Sequence, residues 1–257
     1  MSRAQLKELY QDLTWPGLEF GPSYHPLFKK SDGYNIEIVD HKSQDDLKKF
    51  YEPQNIDTSQ IEHVDYLWKG ESLNDLIPKK YKIITANHLL EHLPNLIGFL
   101  TECENLLEDD GLFIISLPDK RLCFDYFRQN TSLAQLIDAS MRGDVKPTYG
   151  AIVEHIFYAT KRNNSISWGF DYERSNFEFV HEIPNARHAA ERSATDFIDV
   201  HSWVFTPSTF REIINSLNLL GYTTFNVFKE YPPSGCEFYS VLKKGMTGRL
   251  REDMRNF

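Results

Sequence analysis

The stretch from residue 82 to residue 128, KIITANHLLEHLPNLIGFLTECENLLEDDGLFIISLPDKRLCFDYFR, constrains the fold more than any other part of the chain. A short apolar run, a His-rich turn, an amphipathic helical pattern, Asp109-Asp110-Gly111 and a second apolar run follow one another. That order is strand, helix, turn, strand, a piece of a doubly wound α/β sheet, whose ligands bind beyond the carboxyl ends of the strands. Two polar segments fall there: Asn87-His88-Leu89-Leu90-Glu91-His92 after the first run and Pro118-Asp119-Lys120-Arg121 after the second. Polar groups gathered at strand exits point to an enzyme.

The rest of the chain extends the pattern. A short strand runs through Leu18-Glu19-Phe20 into a tight Gly21-Pro22 turn, and residues 35–40 form a second strand that ends in Asp40. Residues 45–51 read as a helix and residues 63–68 as a third strand with the polar exit Lys69-Gly70-Glu71-Ser72. Residues 82–86 and 112–117 supply strands four and five, with a helix over 96–107 and a turn at Asp109-Asp110-Gly111. Thr206 and Pro207 cap a helix that stops at Gly221. Two strands, 223–229 and 237–243, then form an antiparallel pair around Tyr231-Pro232-Pro233-Ser234-Gly235. The expected fold is α/β: a doubly wound, seven-stranded, mostly parallel, Rossmann-like sheet with an antiparallel last strand.

Between residues 119 and 205 the alternation breaks, leaving helical pieces at 132–141 and 149–158 and aromatic-rich stretches. So long a segment is too much for a plain loop and should form a mainly helical cap over the strand ends. Phe124, Tyr126 and Phe127 would lie in the core of its first helix. The division is residues 1–118 for the first part of the core, 119–205 for the inserted substrate-binding cap, and 206–257 for the last helix, the hairpin and a basic tail.

Composition removes several classes. A net charge of −9 disfavours nonspecific nucleic-acid binding, which needs a basic surface. No apolar run reaches membrane-spanning length, so no membrane partner is expected. The amino-terminal MSRAQLKELYQDL has no signal-peptide core and should be a helix packed on the domain. Cys103, Cys123 and Cys236 are scattered, which suits a reduced cytoplasm.

The strand exits suggest the ligand. A glycine after the first strand lets a ligand approach the backbone, and about twenty residues on, Asp40 stands where an acid grips ribose hydroxyls. A dinucleotide site would need G-x-G-x-x-G, and the chain keeps one of those glycines. A nucleoside without a pyrophosphate fits better.

The segments LEFGPS (18–23), IEIVD (36–40), KGESL (69–73), NHLLEHLPN (87–95) and LLEDDGLFIISLPDKR (106–121) together resemble those of the class I S-adenosylmethionine-dependent methyltransferases. The HLLEHL and LPDKRLCFDYFR segments are similar to those of bacterial methyltransferases of capsule and O-antigen sugar pathways. The resemblance implies that S-adenosylmethionine is the cofactor. Glu19, Gly21 and Pro22 match the motif that lines its methionine moiety, and Asp40 matches the ribose-binding acid. Glu71 and Ser72 match the strand-three exit that reads adenine, and Asn87 and His88 the strand-four exit beside the sulfonium. The usual G-x-G-x-G is reduced here to Gly21-Pro22-Ser23.

His88 and His92, four apart, would share a helix face. Zinc would need a third ligand and Glu91 lies off that face, so no metal site is expected; His88 reads as a pocket wall and His92 as structural. In extended chain Asp199 and His201 would face one side, an acid orienting a general base. His201 is therefore the candidate base, with His88 or Asp119 as fallback. Lys120, Arg121 and Asp199 are candidate acceptor-binding groups. The expected reaction is methyl transfer to an oxygen of a small-molecule or glycan acceptor, a sugar or nucleotide-linked sugar of surface polysaccharide synthesis. A phosphate or phosphoramidate oxygen, a nitrogen or another small metabolite as acceptor, or a binding module without catalysis, stay open, as does a homo-oligomer.

Overall fold

The computed structural model describes residues 6–173 and 176–245; residues 1–5 of the amino-terminal helix reading and residues 246–257 of the basic tail lie outside them. Strands β1 (Gly17–Phe20), β2 (Ile36–Asp40), β3 (Tyr66–Leu67), β4 (Tyr81–Asn87), β5 (Leu107–Pro118), β8 (Phe225–Ser234) and β9 (Glu237–Lys244) build one seven-stranded sheet in the order β3-β2-β1-β4-β5-β9-β8. The pairs among β1 to β5 are parallel, and β9 runs antiparallel to both β5 and β8. The strand order reverses beside β1, the switch point where ligands sit in such sheets.

The sequence dictates this sheet because its central strands are apolar on both faces. Successive side chains alternate sides. Leu18, Phe20, Ile84, Ala86, Phe113, Ile115 and Leu117 pack into one cluster with helices α3 (Leu96–Leu106) and α7 (Pro207–Leu220). Ile36, Ile83, Ile114, Tyr239 and Val241 pack into another with Leu6, Tyr10, Leu27 and Phe28. Helix starts follow their caps: the Asn95 side chain accepts from Gly98 N–H, and Thr206 forms a capping box with Thr209 before Pro207.

Three readings are corrected in detail. The third strand is only two residues long, an edge strand with a half-exposed face. Asp109-Asp110-Gly111 is not a turn before β5 but a bulge within it, since the register with β4 jumps from Tyr81↔Leu107 to Ile83↔Leu112. Gly111 suits it: a Cβ there would sit 2.8 Å from the Leu107 side chain and 3.0 Å from the Lys82 carbonyl. The last hairpin is longer than expected, because β8 continues through the prolines with a register shift and turns only after Ser234.

Between β5 and α7 lie α4 (Leu133–Arg142), α5 (Tyr149–Tyr158) and α6 (Ile183–Arg192), with a small β6–β7 ladder (Thr160–Arg162 and Phe177–Phe179). Helix α1 (Gln44–Tyr51) and the one-turn α2 (Leu73–Leu76) lie between β2 and β4. The expected first cap helix is absent: residues 120–128 form a 3₁₀ turn and further tight turns. Tyr126 instead stacks on Phe177 at 4.6 Å, in an aromatic group with Trp168 and Tyr172. Ring contacts favour such a group without helical periodicity.

Candidate active site

The cofactor side starts at Gly21. Its φ of +56° lies in the left-handed region, and its N–H donates to the Val39 carbonyl, tying the β1 exit to β2. A Cβ at Gly21 would meet only the tip of Leu89 at 4.0 Å, so the backbone is open to an incoming group. Pro22 is buried behind it and Ser23 is again left-handed. Glu19 is fully buried, and its carboxylate accepts from Leu27 N–H at 2.7 Å and Phe28 N–H at 3.2 Å. It therefore shapes the loop after β1 from beneath, and Asn87 Nδ2 reaches its Oε1 at 3.4 Å.

Asp40 closes β2 almost completely buried, accepting from His41 and Lys42 N–H groups, both at Oδ1. The third exit is a tight loop: Lys69 N–H donates to Glu71 Oε2, and Trp68 Nε1 donates to the Glu71 carbonyl. Glu71 and Ser72 are both exposed. Lys69 Nζ reaches the His41 carbonyl at 2.7 Å and bridges the second and third exits.

The fourth exit departs from the expected helix. His88 has φ +49°, uncommon for a residue with a side chain, and Leu90–His92 is a 3₁₀ turn. His88 and His92 accordingly do not share a helix face. His88 Nε2 lies 2.7 Å from Glu237 Oε2 at the start of β9, and its Nδ1 stands 3.4 Å from Glu91 Oε1. Burial pulls the His88 ring down, but Glu237 and Glu91 outweigh it and lift its pKa to about 9. A ring charged at neutral pH is poorly suited to accept a proton, which weighs against His88 as base.

At the fifth exit, Asp119 is wholly buried and clasped by Arg121, with Nε at 2.9 Å from Oδ1 and Nη2 at 2.5 Å from Oδ2. It also caps the turn through Arg121 N–H. This geometry makes Asp119 an anchor for Arg121 rather than a base. Arg121, half-exposed, lies over the Phe170 ring at 5.3 Å, and Lys120, half-buried, has its pKa lowered by burial.

The cap returns to the sheet at the fourth exit, where Ser202 and Trp203 N–H groups donate to the Glu91 carbonyl. This brings His201 to the site, but not with its expected partner. Asp199 pairs with His92 Nδ1 at 2.8 Å, while His201 Nδ1 lies 2.5 Å from Asp125 Oδ2. Arg128 Nη1 donates to Asp125 Oδ1 at 2.9 Å and to the His201 carbonyl at 2.8 Å. Burial pushes the Asp125 carboxyl up, but His201 and Arg128 prevail and hold it down at about 2. His155 Nδ1 accepts from His201 N–H, and burial drives that ring to about 3, so it is neutral. Asp125 and Arg128 were missed in the sequence, although an acid and an arginine three apart in FDYFR are a local pairing signal.

The mostly parallel seven-stranded sheet with its antiparallel last strand is the class I methyltransferase fold, and its strand exits carry a left-handed glycine, a buried acid and a histidine–carboxylate pair. The sequence matches the methyltransferase-domain family over residues 16–219, and the chain belongs to that family. It is similar to the ubiquinone biosynthesis O-methyltransferase of Glaesserella parasuis serovar 5 (strain SH0165), 42% identical over 62 residues. That match spans 24% of this chain and 25% of the relative. Among solved structures it is similar to the CcbJ methyltransferase from Streptomyces caelestis, at 12% identity and TM-score 0.50 over 95% of this chain and 89% of that one. The glycopeptide N-methyltransferase MtfA complexed with S-adenosylmethionine matches at 10% identity and TM-score 0.45, covering 95% and 94%.

Proposed function

We propose that this enzyme uses S-adenosylmethionine to methylate a hydroxyl oxygen of a small polar acceptor, a sugar or nucleotide-linked sugar of surface polysaccharide synthesis. The observation that carries the reading is the buried His201–Asp125–Arg128 set, placed by the cap against the β4 exit. An O–H acceptor must lose a proton, whereas a nucleophile already ionised would need no such group. His201, fixed at Nδ1 by Asp125, presents Nε2 for that task.

The residues of the cofactor side fit the cofactor. Gly21 offers a backbone that a ligand can approach, Asp40 a carboxylate held at the strand end for ribose hydroxyls, and Glu71 and Ser72 an exposed edge for adenine. Asn87 and His88 stand at the exit beside the reacting centre. Bound there, the cofactor supplies a sulfonium methyl group with its own driving force. The protein's work is alignment, exclusion of water and removal of the acceptor proton.

For the acceptor, the aromatic group of Tyr126, Trp168, Tyr172 and Phe177 offers ring faces of the kind that carry sugars. Arg121 and Lys120 border it, with Trp168 Nε1 donating to the Arg121 carbonyl. Because Arg121 spends its fork on Asp119, a phosphate as the methylated group is the weaker choice. The cysteines are unpaired, which supports a reducing cytoplasm, and no helix of the described residues is long and apolar enough to cross a membrane.

The test is calorimetric titration with S-adenosylhomocysteine, followed by mass spectrometry of nucleotide sugars incubated with enzyme and cofactor. The expected result is binding that falls at least tenfold in Asp40→Ala, and a methyl mass gain lost in His201→Ala. No S-adenosylhomocysteine binding by the folded wild-type protein would sink the reading.

A further inference from the structure

We propose that Glu91, His92 and His201 form a site for one divalent transition-metal ion of the zinc type at the acceptor side of the β4 exit. Glu91 is the starting point. Its side chain is about 1% exposed, yet neither carboxylate oxygen has a hydrogen-bond partner among the described residues. The His88 ring at 3.4 Å is close enough for an ion pair only. His88 supplies one positive charge, which it shares with Glu237, and a buried carboxylate with no hydrogen-bond donor still favours a further cation.

One potential ligand atom from each of Glu91, His92 and His201 lies within 4.8 Å of the others. Some point therefore lies within about 2.8 Å of all three atoms, a side-chain adjustment away from the roughly 2.0–2.1 Å of Zn–N and Zn–O bonds. The rings are also prepared for the task. Asp199 holds His92 Nδ1 and Asp125 holds His201 Nδ1, which fixes both rings and leaves Nε2 as the donor atom of each. A carboxylate behind each ligating histidine is the usual support of a metal site. Two histidines and one carboxylate leave coordination positions open for a substrate oxygen.

A second group, Asp125, His155 and His201, has similar spacing. It is the poorer site because both Asp125 oxygens already have hydrogen-bond partners in Arg128 and His201, whereas Glu91 has only the His88 ring at ion-pair distance and no donor on either oxygen among the described residues. Glu91 and His92 sit on a 3₁₀ turn, and it is the returning cap that brings His201 to them.

The role of the ion rests on the methyl-transfer reading, although its binding does not. A cation here would take the acceptor oxygen as a ligand and acidify its hydroxyl, so that the O–H proton passes to water instead of to His201. His201 would then hold the ion rather than the proton.

The test uses the full chain, stripped with chelator and titrated with Zn²⁺ by calorimetry and with Co²⁺ by visible absorption. The expected result is one equivalent bound, with Co²⁺ d–d bands. Glu91→Gln and His92→Gln should each weaken binding at least about tenfold, since even supporting residues of metal sites cost that much. S-Adenosylhomocysteine affinity, measured on the same samples, reports whether each variant is folded; if Glu91→Gln fails that control, His92→Gln decides. No stoichiometric Zn²⁺ binding by the wild-type chain overturns the proposal. So does binding that Glu91→Gln leaves intact and His155→Gln abolishes. Zn²⁺ binding without S-adenosylhomocysteine binding would sink the methyl-transfer reading and leave the metal site standing.

Discussion

Asp125 Oδ2 lies 2.5 Å from His201 Nδ1, across 76 residues of sequence, and the pair is closed off from solvent together with Arg128. Removing the acid would strand a buried guanidinium. Asp125→Ala should therefore lose about 3–5 kcal/mol of stability, the cost of leaving one partner of a buried pair uncompensated. Urea denaturation checks it. A loss below about 1 kcal/mol would mean the pair is more hydrated than it looks.

Gly21 is left-handed with open space around it, so the cost of a side chain there is conformational. Gly21→Ala should lose about 1–2 kcal/mol of stability. Its larger effect should be on S-adenosylhomocysteine, because the added methyl stands where the ligand approaches the backbone. Calorimetry should show weaker binding with the fold retained; unchanged affinity would remove Gly21 from the cofactor site.

Arg121 is exposed on one side yet clasps the fully buried Asp119 with two donors. Arg121→Ala should cost about 1–3 kcal/mol, more than a surface ion pair, because the acid keeps only a backbone partner. Arg121→Lys should not rescue it, since an ammonium cannot reproduce the planar fork. Thermal unfolding of the two variants gives the comparison.

Glu37 joins three strands: its carboxylate accepts from Tyr66 at 3.2 Å and from Tyr81, and pairs with Lys79 at 2.8 Å. Burial raises its pKa, but Lys79 and the two phenols prevail and lower it overall. Its contribution is thus present above the ordinary value of 4.5 and is lost as pH falls through the lower folded one. The urea midpoint should drop below pH 4.5, and the drop should be shallower in Glu37→Gln.

How far the sequence reveals this molecule follows from the range of the forces involved. The central strands and capped helices are legible because their signals are local: alternation in β4 and β5, and Thr206-Pro207 before α7 with Gly221 after it. The exits marked by Gly21 and Asp40 come with those strands. Asp199 was matched to His201 on the same local logic, and it failed because residues 199–201 are not a strand. The true partner lies on a separate turn that only tertiary packing brings near. The His88 backbone was illegible for another reason, since positive φ in a residue with a side chain is imposed by surroundings. The company Glu91 keeps was illegible for the same reason as that of Asp125, since its convergence with His201 is a tertiary contact.

The strand that carries Glu237 enters the sheet between β5 and β8, and Glu237 meets His88 at the fourth exit. The order of synthesis therefore matters. On the ribosome, β1 to β5 and their ligand-facing turns emerge first and can begin to fold. They do so with an open edge at β5 and with His88 lacking its carboxylate. Until residue 237 has cleared the exit tunnel, β5 keeps an unpaired edge and the His88 ring has only Glu91 beside it.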